Sequence, residues 1–342
     1  MRKYSKEEFA MNMTEYKDIV VYIETADKSP VKVGLEMLSP ARKIAENTGG
    51  KVRAVLIGDG IRTAAQKAAE SGADEVILIE DPQYESFHLD YFTNVMESVI
   101  KEEKPIAVLV GGTQDGKDLA PRLAARLKTG CVSDVMDLRT EDGKTVYTCP
   151  LYGGTVLQDV VMETSVPQIA VLRSGAFKKT EEAGKGTITE KKVPVTDEKV
   201  RLDIKDAVKE ISEAVNLEEA EVIVSGGRGM GSKDNFALVK ELADLLGGVV
   251  GATRPAIEDG WISRVHQVGQ SGKIVAPKLY IACGISGATQ HVSGIMNSDY
   301  IVAINKDEDA PIFEVANIGI VGNAVNVLPV MIEEIRKKKE AE

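Results

Sequence analysis

Residues 267–291 read QVGQSGKIVAPKLYIACGISGATQH. A short apolar run, residues 279–282, lies between two clusters of glycine and polar residues. An apolar run bounded by glycine-rich turns is typical of a buried strand. Because open α/β sheets bind ligands beyond the ends of their strands, the two polar clusters predict a ligand crevice. We expect its ligand to be large and flat and to carry phosphates.

Strand-like and helical patterns alternate on the N-terminal side of this stretch. The predicted strands are residues 18–23, 52–57, 75–79 and 106–110, and the predicted helices are residues 35–47, 63–70, 91–103 and 118–128. This alternation indicates βαβ units and a parallel sheet. Residues 144–172 are rich in Val, Thr and Tyr and predict further strands, with turns at Gly153 and Gly154.

The composition changes at residues 178–200, which are rich in Lys, Glu, Thr and Gly and show no apolar period. We therefore predict a linker or exposed hairpin there, ending a first α/β domain of residues 1–200. A second domain, residues 201–342, begins with a polar helix at 204–215 and continues with strands at 221–224, 249–250, 279–282 and 300–304. The fold class is thus α/β, with two domains that each hold a mainly parallel sheet flanked by helices, the second being Rossmann-like.

Charge and cysteine content exclude several kinds of protein. The formal net charge of -11 should repel nucleic acid and anionic membrane surfaces. Three separated cysteines favour a reducing compartment over a disulfide framework, and three scattered histidines do not form a zinc pattern. No apolar run is long enough to insert into a membrane, and residues 1–16 lack the apolar core of a signal peptide. We expect a cytoplasmic protein with no metal site.

Other polar, glycine-bearing loops also follow predicted strands in the second domain. The glycine-rich turn at 225–231 lies between a strand and a helix and suits a pyrophosphate, although a tight turn without ligand remains an alternative. Arg254 precedes a proline, which favours extended backbone there; its guanidinium can bind an anion, cover a ring, or form a surface ion pair. Since these loops occur together in one domain, a shared ligand site is favoured over unrelated turns.

The loop at 284–291 predicts a helix start with Ser286 near the cap and backbone N–H groups facing an anion. His291 is either part of the site or a structural histidine. Asn305 follows another strand and is placed to bond a ligand hydroxyl or to form an Asx turn.

In combination, these motifs closely resemble the C-terminal domain of the electron transfer flavoprotein alpha subunit. The matching stretches are Ser225-Gly-Gly-Arg-Gly, Gly251-Ala-Thr-Arg, residues 267–273, residues 278–282, residues 284–291, Ala303-Ile-Asn-Lys-Asp, Ala310-Pro-Ile-Phe and Gly319-Ile-Val-Gly. Residues 116–124 and 172–177 extend the resemblance, more loosely, into the N-terminal half.

The resemblance implies one FAD in the C-terminal domain. The residues that it implies as FAD-binding are Arg228, Thr253, Arg254, Gln267, Val268, Gly269, Gln270, Ser271, Ser286, Gly287, Ala288, Thr289, Gln290, His291, Asn305, Asn317 and Ile318. Within this set, Arg254 would lie over the flavin ring, Ser271 would bond flavin N5, and His291 would approach O2 and, if protonated, stabilise negative charge. The family usually has Thr at Ser271, and Asp at Asn317 and Asn323.

The resemblance also implies a beta subunit, packed largely against the N-terminal domain and holding a second FAD or AMP. An acyl-CoA dehydrogenase would be an electron partner. Whether the chain is a simple shuttle or belongs to a bifurcating system, with NADH and ferredoxin or flavodoxin as further partners, stays open. Two other classes also stay open: an NAD-dependent enzyme on the same fold, for which His291 is the only attractive catalytic group, and a nucleotide-binding regulatory protein.

Overall fold

A computed structural model describes residues 15–180, 184–196, 199–202 and 216–341. The chain divides into two compact units, Met1–Ala207 and Val208–Glu342. The helix predicted at residues 204–215 lies outside the described residues. Each unit is an α/β fold built on a parallel sheet, so the predicted fold class is confirmed.

The strands of the first unit are β1 (Ile19–Tyr22), β2 (Thr25–Ala26), β3 (Ser29–Pro30), β4 (Val52–Gly58), β5 (Glu75–Glu80), β6 (Ala107–Gly111), β7 (Cys131–Val135), β8 (Asp137–Glu141), β9 (Lys144–Leu151), β10 (Val156–Val161), β11 (Gln168–Leu172) and β12 (Thr187–Glu190). Its helices are α1 (Lys32–Glu36), α2 (Leu38–Thr48), α3 (Arg62–Glu70), α4 (Leu89–Glu103) and α5 (Gln114–Leu127). Seven strands form one parallel sheet in the order β12-β5-β4-β1-β6-β11-β7. Strands β8 to β10 form a separate antiparallel sheet.

Strand β12 corrects the prediction of a linker or hairpin at residues 178–200. Residues Thr187 to Glu190 pair in parallel with β5 and become the edge strand of the seven-stranded sheet. Ile188 packs against the core below the sheet, while its neighbours Thr187 and Thr189 face solvent. One apolar residue between β-branched polar ones is enough for an edge strand, because only one face of it needs to be buried.

The second unit contains β13 (Val222–Gly226), α6 (Phe236–Leu245), β14 (Val249–Ala252), α7 (Arg254–Glu258), β15 (Leu279–Cys283), α8 (Thr289–Val292), β16 (Ile301–Asn305), β17 (Ile318–Val321) and α9 (Ala324–Ala341). All five strands are parallel, in the order β14-β13-β15-β16-β17. Apolar clusters cover both faces of this sheet.

A single parallel bridge between Ala252 and Gln267 adds a sixth, very short strand outside β14. With it, the strand order becomes 3-2-1-4-5-6, which is the Rossmann order. The chain runs to one side of β13 through β14 and then returns to the other side through β15. Ligands of such sheets bind in the crevice beyond the carboxyl ends of the two strands where this reversal occurs. Here that crevice lies beyond β13 and β15.

Candidate functional site

A cavity of about 690 Å³ opens at the carboxyl edge of the second sheet, at the reversal between β13 and β15. This volume falls within the range of about 300–1,000 Å³ that is usual for small-molecule and cofactor sites. Its lining residues come from loops that follow β13, β14, β15 and β16 and from the loop after the Gln267 bridge: Gly227, Arg228, Gly229, Thr253, Arg254, Pro255, Val268, Gly269, Gln270, Ser271, Gly284, Ile285, Ser286, Ala288, Gln290, His291, Asn305, Lys306 and Asp307.

The structure brings most of the sequence-predicted residues to this cavity. Those that line it are Arg228, Thr253, Arg254, Val268, Gly269, Gln270, Ser271, Ser286, Ala288, Gln290, His291 and Asn305. Sequence reasoning did not name Lys306, Asp307 or Ile285 as site residues. The first two could have been found, because they directly follow Asn305 at the same strand end.

Two glycine-rich turns meet where the sheet order reverses. Gly227 N–H donates to the Cys283 carbonyl, and Gly229 N–H donates to the Gly284 carbonyl, both at 2.9 Å. A Cβ atom on Gly229 would lie 2.6 Å from the Gly284 oxygen, closer than real Cβ contacts allow. Gly284 itself has φ +62°, a conformation that favours glycine. The floor of the cavity is therefore formed by the backbones of these two turns, which are in direct contact with each other.

Charged side chains around the cavity are mostly cationic. Arg228, Arg254 and Lys306 line it together with one carboxylate, Asp307. The cavity is thus locally positive in a chain whose formal net charge is -11. Cations and backbone N–H groups at strand ends suit the phosphates of a dinucleotide.

Arg254 lies in the first turn of α7, so the prediction of extended backbone at this residue is wrong. Pro255 occupies the second helical position, where a missing N–H costs nothing, and Thr253 is the extended residue instead. The Arg254 side chain is 64% exposed and pairs with Glu258 one turn later at 2.8 Å. The ion pair that the sequence left as an alternative is therefore present, and Arg254 is also one of the residues that line the cavity.

Ser271 is oriented by a buried amide. Gln267 does not line the cavity; its Nε2 donates to the Ser271 Oγ at 3.0 Å. Because that oxygen already accepts a hydrogen bond, the hydroxyl proton of Ser271 is available to a ligand acceptor. Gln267 is therefore placed to support the site through Ser271 rather than by contacting a ligand.

Asn305 forms the Asx turn that was its alternative interpretation. Its Oδ1 accepts from the Asp307 N–H at 3.0 Å, and its Nδ2 donates to the Ile285 carbonyl at 2.8 Å. These bonds tie the loop after β16 to the loop after β15. Asn305 lines the cavity while it holds the two loops together.

Four other predicted residues lie away from the cavity. Gly287, with φ +91°, packs against the backbone of Ile312, and Thr289 begins α8. Asn317 and Ile318 lie at the amino end of β17, opposite the cavity edge: Asn317 Oδ1 accepts from the Ile301 N–H at 2.7 Å, and Ile318 pairs with Val302. The structure therefore does not bring these two residues to the cavity, because the carboxyl end of β17 is Val321.

Ser286 does not cap a helix, contrary to the expectation from the sequence. Helix α8 begins at Thr289, with Ala288 at the cap position and no side-chain cap bond. Ser286 instead offers its backbone carbonyl to the Ile312 N–H at 3.0 Å. Ser286 is nevertheless among the residues that line the cavity.

His291 is a buried imidazole whose surroundings in this chain favour the neutral form. Its side chain lies between the Val268 carbonyl, 3.1 Å from Nδ1, and the Tyr280 hydroxyl, 2.9 Å from Nε2. The residue is only 6% exposed. Burial lowers the pKa of His291 to about 4, against the opposing effect of the hydrogen bond to Val268.

This lowered pKa predicts that the second unit becomes less stable to unfolding as the pH is lowered. Between pH 6.5 and about 4 the unfolded chain binds a proton at His291 and the folded chain does not, so the free energy of unfolding should fall by up to about 1.4 kcal/mol per pH unit as pH is lowered. Urea unfolding followed by Trp261, the only tryptophan, reports on this unit. The free energy of unfolding should fall less steeply with pH in His291→Gln, and as steeply as in the unmodified chain in a His88→Gln control. Equal slopes in all three proteins would contradict the assignment.

The described residues show neither a metal cluster nor a membrane-spanning helix. No group of three His, Cys, Asp or Glu side chains in the described ranges is placed to hold a metal ion. None of the helices in that part of the chain is long and apolar enough to cross a membrane.

Comparison with known proteins identifies two family domains. Residues 19–198 match the electron transfer flavoprotein domain, and residues 216–296 match the electron transfer flavoprotein FAD-binding domain. The chain is 43% identical to the electron transfer flavoprotein subunit alpha of Thermoanaerobacterium thermosaccharolyticum, over 96% of this chain and 100% of that protein. It is also 43% identical to the subunit of the same name from Megasphaera elsdenii, over 96% of this chain and 99% of that protein.

A more distant relative has a name that includes two electron carriers. The chain is 34% identical to the lactate dehydrogenase (NAD(+),ferredoxin) subunit LctC of Acetobacterium woodii, over 98% of this chain and 82% of that protein.

Proposed function

The chain belongs to the electron transfer flavoprotein alpha-subunit family, and we propose on that basis that it holds one FAD in the cavity of its second unit and relays single electrons as half of a heterodimer with a beta subunit. The observation that carries this proposal is the locally positive cavity at the reversal point of a Rossmann-ordered sheet. Its size, its cationic rim and its glycine floor fit an elongated, phosphate-bearing cofactor.

The residues of the cavity divide into two groups by the chemistry that they offer. The turn at Gly227, Arg228 and Gly229 offers backbone donors and a guanidinium to a pyrophosphate. Ser271, oriented by Gln267, offers a hydroxyl donor to a ring nitrogen. Arg254 offers positive charge to a ring that becomes more negative on reduction. When bound, FAD supplies one- and two-electron redox chemistry; the chain supplies position and electrostatics.

The two buried candidates for catalysis, His291 and Cys283, give no support to an NAD-dependent enzyme. An enzyme needs an acid, base or nucleophile beside its ligand. Both ring nitrogens of His291 are engaged by the protein, and burial raises the pKa of the Cys283 thiol to about 12. Neither group is therefore available for proton transfer or nucleophilic attack near neutral pH.

The proposed partners follow from the family. The beta subunit would complete the heterodimer, and an acyl-CoA dehydrogenase would exchange electrons with the FAD. The name of the Acetobacterium woodii relative supports a second candidate, bifurcation between NADH and ferredoxin, for the assembled heterodimer. A reducing, cytoplasmic location suits a chain whose described cysteines, Cys131, Cys149 and Cys283, are all free.

Cofactor content tests the proposal. The chain, purified with its beta subunit, should be yellow and should hold one FAD in the alpha subunit. Visible absorption and chromatography of the released nucleotides measure this. Two FAD per heterodimer would support bifurcation, whereas one FAD with one AMP would support a simple shuttle. A colourless alpha chain that does not take up FAD would overturn the flavoprotein assignment.

A further inference from the structure

Another cavity, of about 520 Å³, lies in the first unit and is lined mainly by cations. Its lining residues are Arg122, Ala125 and Arg126 of α5, and Lys199, Arg201 and Leu202 of a later segment. Four of the six carry a positive charge, and none of the lining residues that the structure describes is acidic. This concentration of cations occurs in a chain whose formal net charge is -11, and the proposed function does not use it.

A buried carboxylate fixes the segment that carries two of these cations. Asp90, in the first turn of α4, has no exposed surface, and its Oδ2 accepts from the Arg201 N–H at 2.8 Å and from the Leu202 N–H at 2.9 Å. Its Oδ1 forms an ion pair with the Arg122 guanidinium. Because α4 also packs against α5, the backbone of Arg201 is held beside the arginines of α5. The cluster is therefore built into the fold.

The carboxylates near the cavity compensate only part of its positive charge. Glu97 of α4 pairs with Arg126 at 3.1 Å and with Lys199 at 3.5 Å. The same carboxylate also pairs with Lys101 of its own helix at 2.7 Å. Glu97 and the buried Asp90 thus serve more cations than they can neutralise. Within the described residues, the exposed Arg201 side chain forms no ion pair.

The arginines of the cluster repel one another. Burial and the positive charges of Arg126 and Arg201 lower the pKa of Arg122. An anion placed among these groups would relieve the repulsion. Guanidinium groups present planar, forked sets of donors that match the oxygens of a phosphate, so an arginine cluster in a concave site suits this anion.

We infer that this cavity binds a phosphate group, as the free ion or as part of a small molecule, and that the bound phosphate holds residues 199–202 against α5. A divalent anion matches the excess of positive charge, and a volume of about 520 Å³ leaves room for an organic part beside the phosphate. All of the lining residues belong to the first unit, so the inference does not depend on the proposed FAD site of the second unit.

Hydrogen–deuterium exchange of the chain, purified with its beta subunit, tests the inference. The Arg201 and Leu202 amides are bonded to Asp90, so they report on the attachment of this segment. With a Kd of about 1 mM, about 10 mM inorganic phosphate should slow exchange in the peptide containing residues 199–202 by about ten-fold. Sodium chloride at the same ionic strength should have a much smaller effect. No slowing by phosphate, or equal slowing by chloride, would overturn the inference.

Variants of arginine locate the effect. Arg201→Gln removes an exposed guanidinium but keeps the backbone N–H that bonds Asp90, so exchange in chloride should barely change while the response to phosphate falls below about two-fold. Arg201→Lys keeps the charge and should retain part of the response. Arg62→Gln, an exposed arginine of the same unit that does not line the cavity, should retain all of it. A full response in Arg201→Gln would contradict the assignment.

A carboxylate can also be placed in the cavity itself. Ala125 lies on the exposed side of α5 and lines the cavity. In Ala125→Glu, exchange at residues 199–202 should already be slow in chloride, and phosphate should add little. Ala125→Gln has the same size without the charge and should keep the response. Equal phosphate responses in these two variants would overturn the inference, because a carboxylate at this position must compete with phosphate for the same cations. This pair also decides the matter if Arg201→Gln does not fold.

The source of the phosphate is distinguished by a second probe. Stronger protection by ribose 5-phosphate than by inorganic phosphate at equal concentration would indicate a phosphorylated small molecule, whereas equal or weaker protection would indicate the free ion. Protection by neither probe would overturn the inference. Because exchange is read peptide by peptide, phosphate that binds in the FAD cavity would appear in other peptides. A chain that takes up no FAD would refute the proposed function and leave this experiment unaffected.

Discussion

A Gly229→Ala chain is expected to lose FAD affinity by ten- to a hundred-fold. The added Cβ would lie 2.6 Å from the Gly284 oxygen and 2.7 Å from the Gly284 Cα. Both of these are backbone atoms, which cannot rotate away as a flexible side chain can. The two turns must separate, which breaks the hydrogen bond from Gly229 N–H to the Gly284 carbonyl. Overpacking of this kind costs about 1–3 kcal/mol.

The loss should appear in binding as well as in stability. FAD affinity is measured by titration into the apoprotein, and stability of the second unit by urea unfolding followed by Trp261. Gly247→Ala serves as the control: its φ of +67° makes a side chain costly, but a Cβ there would meet nothing within 4 Å. Gly247 also precedes β14, at the edge of the sheet opposite the cavity. Equal FAD affinity in the two variants would show that the contact between the turns does not form the floor of the site.

The main strands and most helices were predictable because their apolar patterns are local. Residues 279–282 are a continuous apolar run, and residues 52–57 are one that only Arg53 interrupts; such runs are typical of strands buried on both faces, and these two became β15 and β4. Strand β12 was not predictable in this way, since its only apolar anchor is Ile188. Its position depends on pairing with β5, which is more than 100 residues earlier in the chain.

The loops of the cavity were predictable from their position after strands, but the roles of individual side chains were not. Gln267 and Ser271 both looked like ligand donors, and only the fold shows that one orients the other. Asn317 lies away from the cavity, because the parallel register puts it at the amino end of β17, and this register cannot be read from its local sequence.

The protonation of His291 was also beyond the sequence. Its two partners are a carbonyl 23 residues away and a hydroxyl 11 residues away, and neither contact follows from a motif. Tyr280 belongs to the apolar run that predicted β15, but the direction of its side chain depends on the pleat of that strand. Consequently the cations that can stabilise a reduced flavin ring are those on the rim of the cavity. Among them, Arg254 is the one that the family resemblance assigns to the ring.

Arg254→Ala is therefore expected to lower the potential of the bound cofactor more than any other single loss of charge in the cavity. A unit charge about 4 Å away contributes about 4 kcal/mol at an effective dielectric of 20 and about 1 kcal/mol in bulk water. Arg254 is 64% exposed and forms an ion pair with Glu258. We therefore expect its contribution to the potential to lie near the lower end of this range, at about 1.4 kcal/mol or 59 mV for one electron. Potentiometric titration of the FAD-loaded heterodimer measures this shift.

Matched variants distinguish an effect of Arg254 at the flavin ring from the general effect of removing one positive charge. Arg264→Ala removes the same charge from an exposed position of the second unit that does not line the cavity, so the potential should barely change. Arg254→Lys keeps the charge but loses the planar guanidinium, and should restore the potential only in part if the group stacks on the ring. Glu258→Gln releases Arg254 from its partner and should raise the potential slightly. Equal shifts for Arg254→Ala and Arg264→Ala would refute a role for Arg254 at the ring.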